Sequence, residues 1–245
     1  MFKDKKVTVI VSGGMDSVTL LYYILSQTAK ENVKALSIDY GQKHKKELVG
    51  AAALSNWAGV DHKVVAIPEV QQLLVSSLTS EEEAVPEGHY AEENMKKTVV
   101  PNRNAIMLSI AYGYAISNQS DFLAFGAHAG DHFIYPDCRP LFVDALNVAL
   151  QVGNQGFGNV TLVAPFSYKT KTEIAKLGTQ LHVPYEKTWS CYKGGERPCL
   201  KCGTCIERYE AFNENDLQDP LLTDKEWTQA GENYNQAKAN FESAN

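Results

Sequence analysis

The sequence predicts an α/β protein, a doubly wound parallel five-stranded sheet followed by a small C-terminal metal-binding helical segment. Three observations carry that prediction. Apolar strand-like runs alternate with amphipathic stretches over most of the 245 residues, and such alternation builds a parallel sheet wrapped by helices. The first strand runs into a two-glycine turn, Ser12-Gly-Gly-Met-Asp-Ser17, that opens a helix. Four of the five cysteines crowd between Cys191 and Cys205.

In chain order the expected strands are Val7–Val11, Lys34–Asp39, Lys63–Ile67, Phe122–Gly126 and Thr161–Pro165. Helical patterns fall between and after them, at Met15–Gln27, Lys45–Trp57, Asn104–Ser117, Leu141–Val152 and Lys171–Leu181. Right-handed crossovers would wind these into one sheet with helices on both faces. Residues 76–97, with Glu81, Glu82, Glu83, Pro86 and Gly88, break the pattern: they read as a polar, acidic loop poor in core residues, either a lid or a surface excursion. The chain divides into an α/β domain, 1–187, and a segment, 188–245, that holds the cysteines and a polar helical tail from Asp224 to Phe241. Trp227, Tyr234 and Phe241 recur there at sevenfold spacing, a face that docks onto the body or onto a second subunit.

Composition narrows the function classes. Apolar residues at 44% and charged residues at 21% suit a soluble globular enzyme. A net charge of −6 gives no basic footprint for a nucleic-acid backbone, so no stable nucleic-acid binding is expected and the substrate should be a small molecule. The N-terminal residues enter the first strand without an apolar signal region, and no run approaches the ~20 residues of a membrane span. A cytoplasmic location is expected, and clustered cysteines without a secretion signal argue against a disulfide framework.

The turn Val11-Ser-Gly-Gly-Met-Asp-Ser17 aims backbone N–H groups and two hydroxyls at an anion, with the partial positive charge of a helix start behind them. It lacks the Lys-Ser/Thr ending of the Walker loop and the spacing of a dinucleotide fingerprint. The plainer reading is a glycine turn in which Asp16 and Ser17 merely cap the helix. The Ser-Gly-Gly-x-Asp-Ser form resembles the pyrophosphate loop of enzymes that split ATP between its α and β phosphates.

Ligands in open parallel sheets bind beyond the carboxyl ends of the strands, and the unusual residues gather there. The second strand ends in Asp39-Tyr-Gly-Gln42, followed by Lys43-His-Lys45. The fourth ends in Gly126-Ala-His-Ala-Gly-Asp131 and leads to Tyr135-Pro-Asp-Cys-Arg139; the fifth ends in Pro165-Phe-Ser-Tyr-Lys-Thr-Lys171. Arg103 and Lys171 both sit in the first turn of a helix, against the dipole preference, which a nearby phosphate or carboxylate would explain. A solvated surface lysine and a helix cap by Asn102 or Asn104 are the plainer alternatives. Asp131 and Asp137 are candidates for magnesium or for the N–H edge of a guanine-like base. Cys138 reads as a small buried neighbour rather than a nucleophile. The spacing Cys191-x7-Cys199-x2-Cys202-x2-Cys205 suits a closed tetrahedral zinc site, although iron–sulfur ligation shares it.

Together these motifs resemble the QueC family, the 7-cyano-7-deazaguanine synthases, through almost the whole length: Ser12 to Ser17, Asp39 to Gln42, Val100-Pro-Asn-Arg-Asn104, Tyr135 to Arg139, Trp189-Ser-Cys191 and Cys199 to Cys205. Asn102 stands where many relatives carry glycine. The resemblance implies an adenine nucleotide alpha hydrolase-like fold, one structural Zn²⁺ on the four cysteines and Mg²⁺ with ATP. It implies conversion of 7-carboxy-7-deazaguanine, ammonia and ATP into the nitrile, through adenylated carboxylate and amide, releasing AMP and pyrophosphate in queuosine-type biosynthesis. A homodimer is the implied assembly, and with no room for a glutaminase domain, free ammonia is the expected donor. On this reading Val11 to Ser17, Asp39 and Gln42 bind ATP; Ser12, Asp16, Ser17, Arg103 and Lys171 carry the chemistry; Arg103, Asp131, Asp137 and Arg139 contact the substrate. Two rivals share the loop: an adenylating enzyme acting on another acceptor, such as in tRNA thiolation, and a zinc-knuckle binding protein with a vestigial nucleotide fold.

Overall fold

The computed structural model describes residues 1–42, 45–80 and 82–244; the sequence positions Lys43, His44 and Glu81 lie outside the described residues. Five strands, β1 (Val7–Ile10), β2 (Val33–Asp39), β3 (Asp61–Ala66), β4 (Phe122–Ala124) and β5 (Thr161–Val163), form one sheet in the order β3-β2-β1-β4-β5. Every neighbouring pair is parallel. The chain starts at the centre, winds outward through β2 to β3, then returns to the other side of β1. Connections therefore diverge between β1 and β4, where a crevice opens beyond the strand ends.

The helices are α1 (Met15–Leu25), α2 (Lys46–Trp57), the single turn α3 (Val70–Leu73), α4 (Arg103–Ser117), α5 (Pro140–Gly153), α6 (Lys171–Gln180), α7 (Gly203–Asn213) and α8 (Asp224–Ala244). Strand β1 is buried along its whole length, as a central parallel strand must be, and it splits its side chains between two cores. Val7, Val9 and Val11 pack with α1, α2 and α6 through Val18, Leu21, Leu54 and Ile174. Ile10 packs on the opposite face with Leu36, Leu123 and Leu162, against Leu108 and Tyr112 of α4 and Val143 of α5. Thr8 on that strand is satisfied by a 2.9 Å hydrogen bond to Ser120.

The last two strands are shorter than the apolar runs suggest. After Ala124 the chain leaves the ladder to ride over the first turn of α1. A Cβ at Gly126 would lie 3.3 Å from the Ser17 backbone. That close approach brings the β1 and β4 loops into one site.

Residues 76–97 do not form a core-poor excursion. Leu78 and Val85 are buried with Val100, Trp189 and the cysteines, and Met95 is also buried. An antiparallel bridge joins Glu87 to Cys202. The long acidic composition hid a segment whose larger aliphatic residues, Leu78, Val85 and Met95, point inward. The aromatic face of α8 docks on the body: Trp227 and Tyr234 lie against Tyr209 of α7, and Phe241 stacks on His89 with centroids 4.4 Å apart. Helix α7, which no periodic pattern announced, carries the last cysteine of the cluster and Glu207.

Candidate active site

The phosphate loop is organised by its own serines. Ser17 Oγ accepts from the Ser12 N–H at 3.1 Å, meets Ser12 Oγ at 3.0 Å and donates to the Gly14 carbonyl at 3.1 Å. Only the first glycine uses left-handed backbone: Gly13 has φ +89°, and a Cβ there would lie 2.1 Å from the Glu47 carbonyl. Gly14 is extended and precedes the helix. The Gly13 carbonyl accepts from the Trp189 N–H at 3.0 Å, so the loop is clamped between α2 and the segment leading to the cysteines.

A cavity beyond the strand ends collects most of the residues singled out by sequence. Val11, Ser12, Gly14, Asp16, Ser17, Gln42, Arg103, Asp131 and Lys171 line it. Gly13, Met15, Asp39, Asp137 and Arg139 are not on its wall. Met15 is fully buried in the core. Asp39 accepts from the Gly41 N–H and pairs with Lys45. Asp137 accepts the Asn104 N–H at 3.1 Å and so caps α4, while exposed Arg139 donates to the His132 carbonyl. Asn102 precedes α4 with φ +58°, a left-handed position that suits asparagine or glycine.

The two ends of the cavity differ in charge pairing. At the phosphate end Lys171 Nζ lies 2.6 Å from Glu207 Oε2 and 3.3 Å from Asp16 Oδ2, all three at least largely buried. Burial works against its ammonium, yet Asp16, Glu207 and Asp131 outweigh it and hold the lysine above its ordinary pKa. His128 Nδ1 accepts from the Gly130 N–H, so its remaining ring proton sits on Nε2, 3.8 Å from Asp16 and 3.6 Å from Asp131. Asp16 Oδ1 is buried with no partner.

At the other end Arg103 reaches into an aromatic box. Its guanidinium makes a single hydrogen bond among the described residues, a long one of 3.5 Å to the Tyr40 hydroxyl, and its Nε is buried and unpartnered. Tyr135 and Tyr192 complete the box, with hydroxyls 3.3 Å apart. Cys138 is buried, bonded to Asn104, and burial pushes its thiol well above the usual range. It is an unreactive neighbour. Sequence reasoning missed Glu47, Glu207 and Tyr192, and it quoted Tyr40 and Tyr135 inside their motifs without giving them a role. Glu207 had a signal, two residues beyond Cys205; Glu47 and Tyr192 had none.

The four cysteine sulfurs all lie within 4.8 Å of one another, with Cys202–Cys205 at 3.5 Å and Cys199–Cys205 at 3.9 Å. A tetrahedral zinc with Zn–S bonds of about 2.3 Å sets its sulfurs about 3.8 Å apart. A four-iron cluster places each thiolate on a different iron and spreads them further. The donor set fits a structural zinc with no open position. Ser190 and Tyr192 flank Cys191 and line the cavity, so the metal cluster fixes part of its wall.

Residues 6–216 match the family model described as queuosine biosynthesis protein QueC. The chain is 47% identical over 237 residues to the 7-cyano-7-deazaguanine synthase of Archaeoglobus fulgidus, covering 97% of this chain and 98% of that one. The synthase of Hahella chejuensis is 50% identical over 212 residues, covering 86% and 90%. That of Sinorhizobium fredii is 49% identical over 215 residues, covering 88% and 90%.

Proposed function

The chain belongs to the family of the queuosine biosynthesis protein QueC, and on that premise we propose how its cleft makes 7-cyano-7-deazaguanine from 7-carboxy-7-deazaguanine, ammonia and ATP. The carboxylate oxygen attacks the α-phosphorus of ATP and pyrophosphate leaves. Ammonia attacks the acyl carbon, the bond to AMP breaks, and the amide forms with loss of a proton. The amide oxygen then attacks the α-phosphorus of a second ATP, pyrophosphate leaves as one N–H proton is lost, and elimination of AMP with the remaining N–H proton leaves the nitrile.

The observation that carries this reading is the meeting, in one cavity, of the phosphate loop, Lys171 and an arginine that lacks an anion. Ser12, Gly13, Gly14, Asp16 and Ser17 hold the departing pyrophosphate, and Lys171 neutralises charge as it develops. Arg103 takes the substrate carboxylate as a fork takes an anion. The unpartnered Asp16 Oδ1, with Asp131 near it, suits the Mg²⁺ that accompanies ATP, a cation that takes oxygen ligands. When bound, that ion screens the phosphate charge. Asp131 remains the lining carboxylate suited to the base edge, whereas Asp137 and Arg139 act through the α4 cap and the loop before α5.

The proposed division falls at residue 187, with ATP on the first part and a wall of the cleft supplied by the zinc segment. Among the described residues no helix is long and apolar enough to cross a membrane; a cytoplasmic location is part of this proposal. Leu141, Val148 and Val152 form an exposed apolar strip on α5 that supports a homodimer. The acidic net charge supports small-molecule partners rather than nucleic acid. Thiolation chemistry has less support, since Cys138 is the only thiol on the wall among the described residues and burial keeps it protonated.

Incubation with 7-carboxy-7-deazaguanine, ammonium and Mg-ATP tests the proposal. It predicts AMP, pyrophosphate and a product with the nitrile mass. Release of ADP would contradict the loop assignment, and AMP without nitrile would contradict the substrate.

A further inference from the structure

Glu47 lies in the first turn of α2, half-buried, and lines the cavity. Its backbone carbonyl is the group against which Gly13 packs, so it stands directly behind the phosphate loop. The charge acting on its carboxyl is the Arg103 guanidinium. Glu47 thus shares one cavity with the phosphate loop and with the arginine that faces the acyl group.

Its carboxylate is also the uncommitted one. Asp16 and Glu207 hold Lys171, and Asp131 accepts the His128 N–H. Glu47 makes no side-chain hydrogen bond or ion pair with another described residue. Its neighbour Lys46 is engaged elsewhere, 3.8 Å over the Trp189 ring and bonded to the Gly195 and Glu196 carbonyls. Tyr40, Trp189 and Tyr192 line the same cavity, and aromatic faces of this kind favour a small cation.

The chemistry demands such a group. Ammonia at neutral pH is mostly ammonium, with no lone pair, and it must lose a proton before it can attack. The tetrahedral adduct must lose another as AMP leaves. We propose that Glu47 is the ammonium site and general base of the amide-forming step, an inference that rests on the synthase reading above. Its carboxylate binds ammonium and takes one proton, leaving NH₃ to form the C–N bond. That proton passes to water in the open cleft. Glu47 then accepts the second proton from the adduct while the C–O bond to AMP breaks, its electron pair staying on the AMP oxygen.

Burial pushes the Glu47 carboxyl up to about 8, with Arg103 opposing. A base of that strength is better matched to ammonium near neutral pH than an ordinary carboxylate. An anion seated on Arg103 cancels the opposing charge and strengthens the base further. Substrate binding and base activation are thereby coupled.

The test compares wild type with Glu47→Gln, both checked by thermal melting and zinc content. ATP–pyrophosphate exchange with 7-carboxy-7-deazaguanine, without ammonium, reads adenylation alone. Amide formation from ammonium reads the step assigned to Glu47. Hydroxamate formation from hydroxylamine, a nucleophile largely unprotonated at neutral pH, reads the same step without the first proton transfer. The expected result is exchange within a few-fold of wild type, ammonium-dependent amide formation reduced about 10²–10⁴-fold, and hydroxamate formation largely retained. An intact ammonium rate, a parallel loss of exchange, or an equal loss with hydroxylamine would overturn the assignment. If Glu47→Gln does not fold, Glu47→Asp serves: it should raise KM for ammonium and leave KM for ATP unchanged, and the reverse pattern would overturn the assignment. Absence of exchange in the wild type would instead fail the synthase reading.

Discussion

Two arginines are withdrawn from solvent in this molecule, one in the zinc segment and one at the cleft, and they are treated oppositely. Arg208 on α7 forms a two-point pair with Asp219, at 2.6 and 2.9 Å, and also donates to Thr188 and the Tyr185 carbonyl. Arg103 has a long hydrogen bond to a phenol and a bare buried Nε. Desolvating a guanidinium costs several kcal/mol unless an anion and hydrogen bonds repay it. Arg208 is repaid within the fold and holds the C-terminal segment in place. Arg103 is not: no carboxylate among the described residues hydrogen-bonds its guanidinium, which leaves it open to an incoming anion.

That contrast can be broken most forcefully at the metal. Binding free energies of about 10–16 kcal/mol are typical for structural zinc, so stripping it with a chelator should unfold the segment around Arg208. Because Trp189 and Tyr192 belong to the cleft wall, AMP release should vanish together with the tryptophan fluorescence change and the metal. Unaltered AMP release from metal-free protein would separate the two regions.

Next, the arginines should respond in opposite ways to loss of pairing. Asp219→Ala strands a buried cation and should cost about 3–5 kcal/mol in urea unfolding, while the remaining folded enzyme keeps its turnover. Arg103→Met removes an unpaired buried charge and should leave stability unchanged or raised. Its AMP release should fall roughly 10²–10³-fold, the usual loss for one charge-stabilising donor. Destabilisation by Arg103→Met would contradict the distinction between the two sites.

Gly13→Ala tests the clamp between loop and α2. A left-handed backbone of φ +89° and a Cβ 2.1 Å from the Glu47 carbonyl force the loop to move, so ATP affinity should fall well before the melting temperature does. Equilibrium binding of ATP against a thermal melt separates these effects.

A pH dependence completes the series. The Glu47 carboxyl titrates near 8 in the fold and near ~4.3 unfolded, so the native state holds the proton more tightly. Stability therefore falls as pH rises from about 4 to about 8. The melting temperature of Glu47→Gln should fall less across that window than that of the wild type.

The phosphate end was legible in the sequence because backbone geometry writes itself there: a glycine that must be left-handed, serines that close a turn, and a lysine on the wrong end of a helix dipole. Lys171 was read as awaiting an anion, and two carboxylates, Asp16 and Glu207, stand beside it. The alternation of strands and helices likewise exposed the sheet and its two cores. The substrate end was less legible. Glu47 and Tyr192 are ordinary residues in ordinary positions until the crossovers bring them into the cleft of Arg103, and Tyr40, though inside the Asp39 to Gln42 motif, shows its role only there. Asp137 and Arg139 carried a motif signal, yet capping and loop contacts draw them off the wall. Residues 76–97 misled because burial there depends on a handful of side chains meeting the zinc segment, which composition does not record.

On the proposed mechanism both ATP molecules activate the same carboxyl carbon through its oxygens. Supplying 7-carboxy-7-deazaguanine with both carboxylate oxygens as oxygen-18, then weighing the AMP released, tests it most directly. Two AMP per nitrile are expected, each carrying one heavy oxygen, since each activation transfers one carboxyl oxygen to phosphorus. Unlabelled AMP, or heavy oxygen appearing in water or in ADP and phosphate, would contradict it.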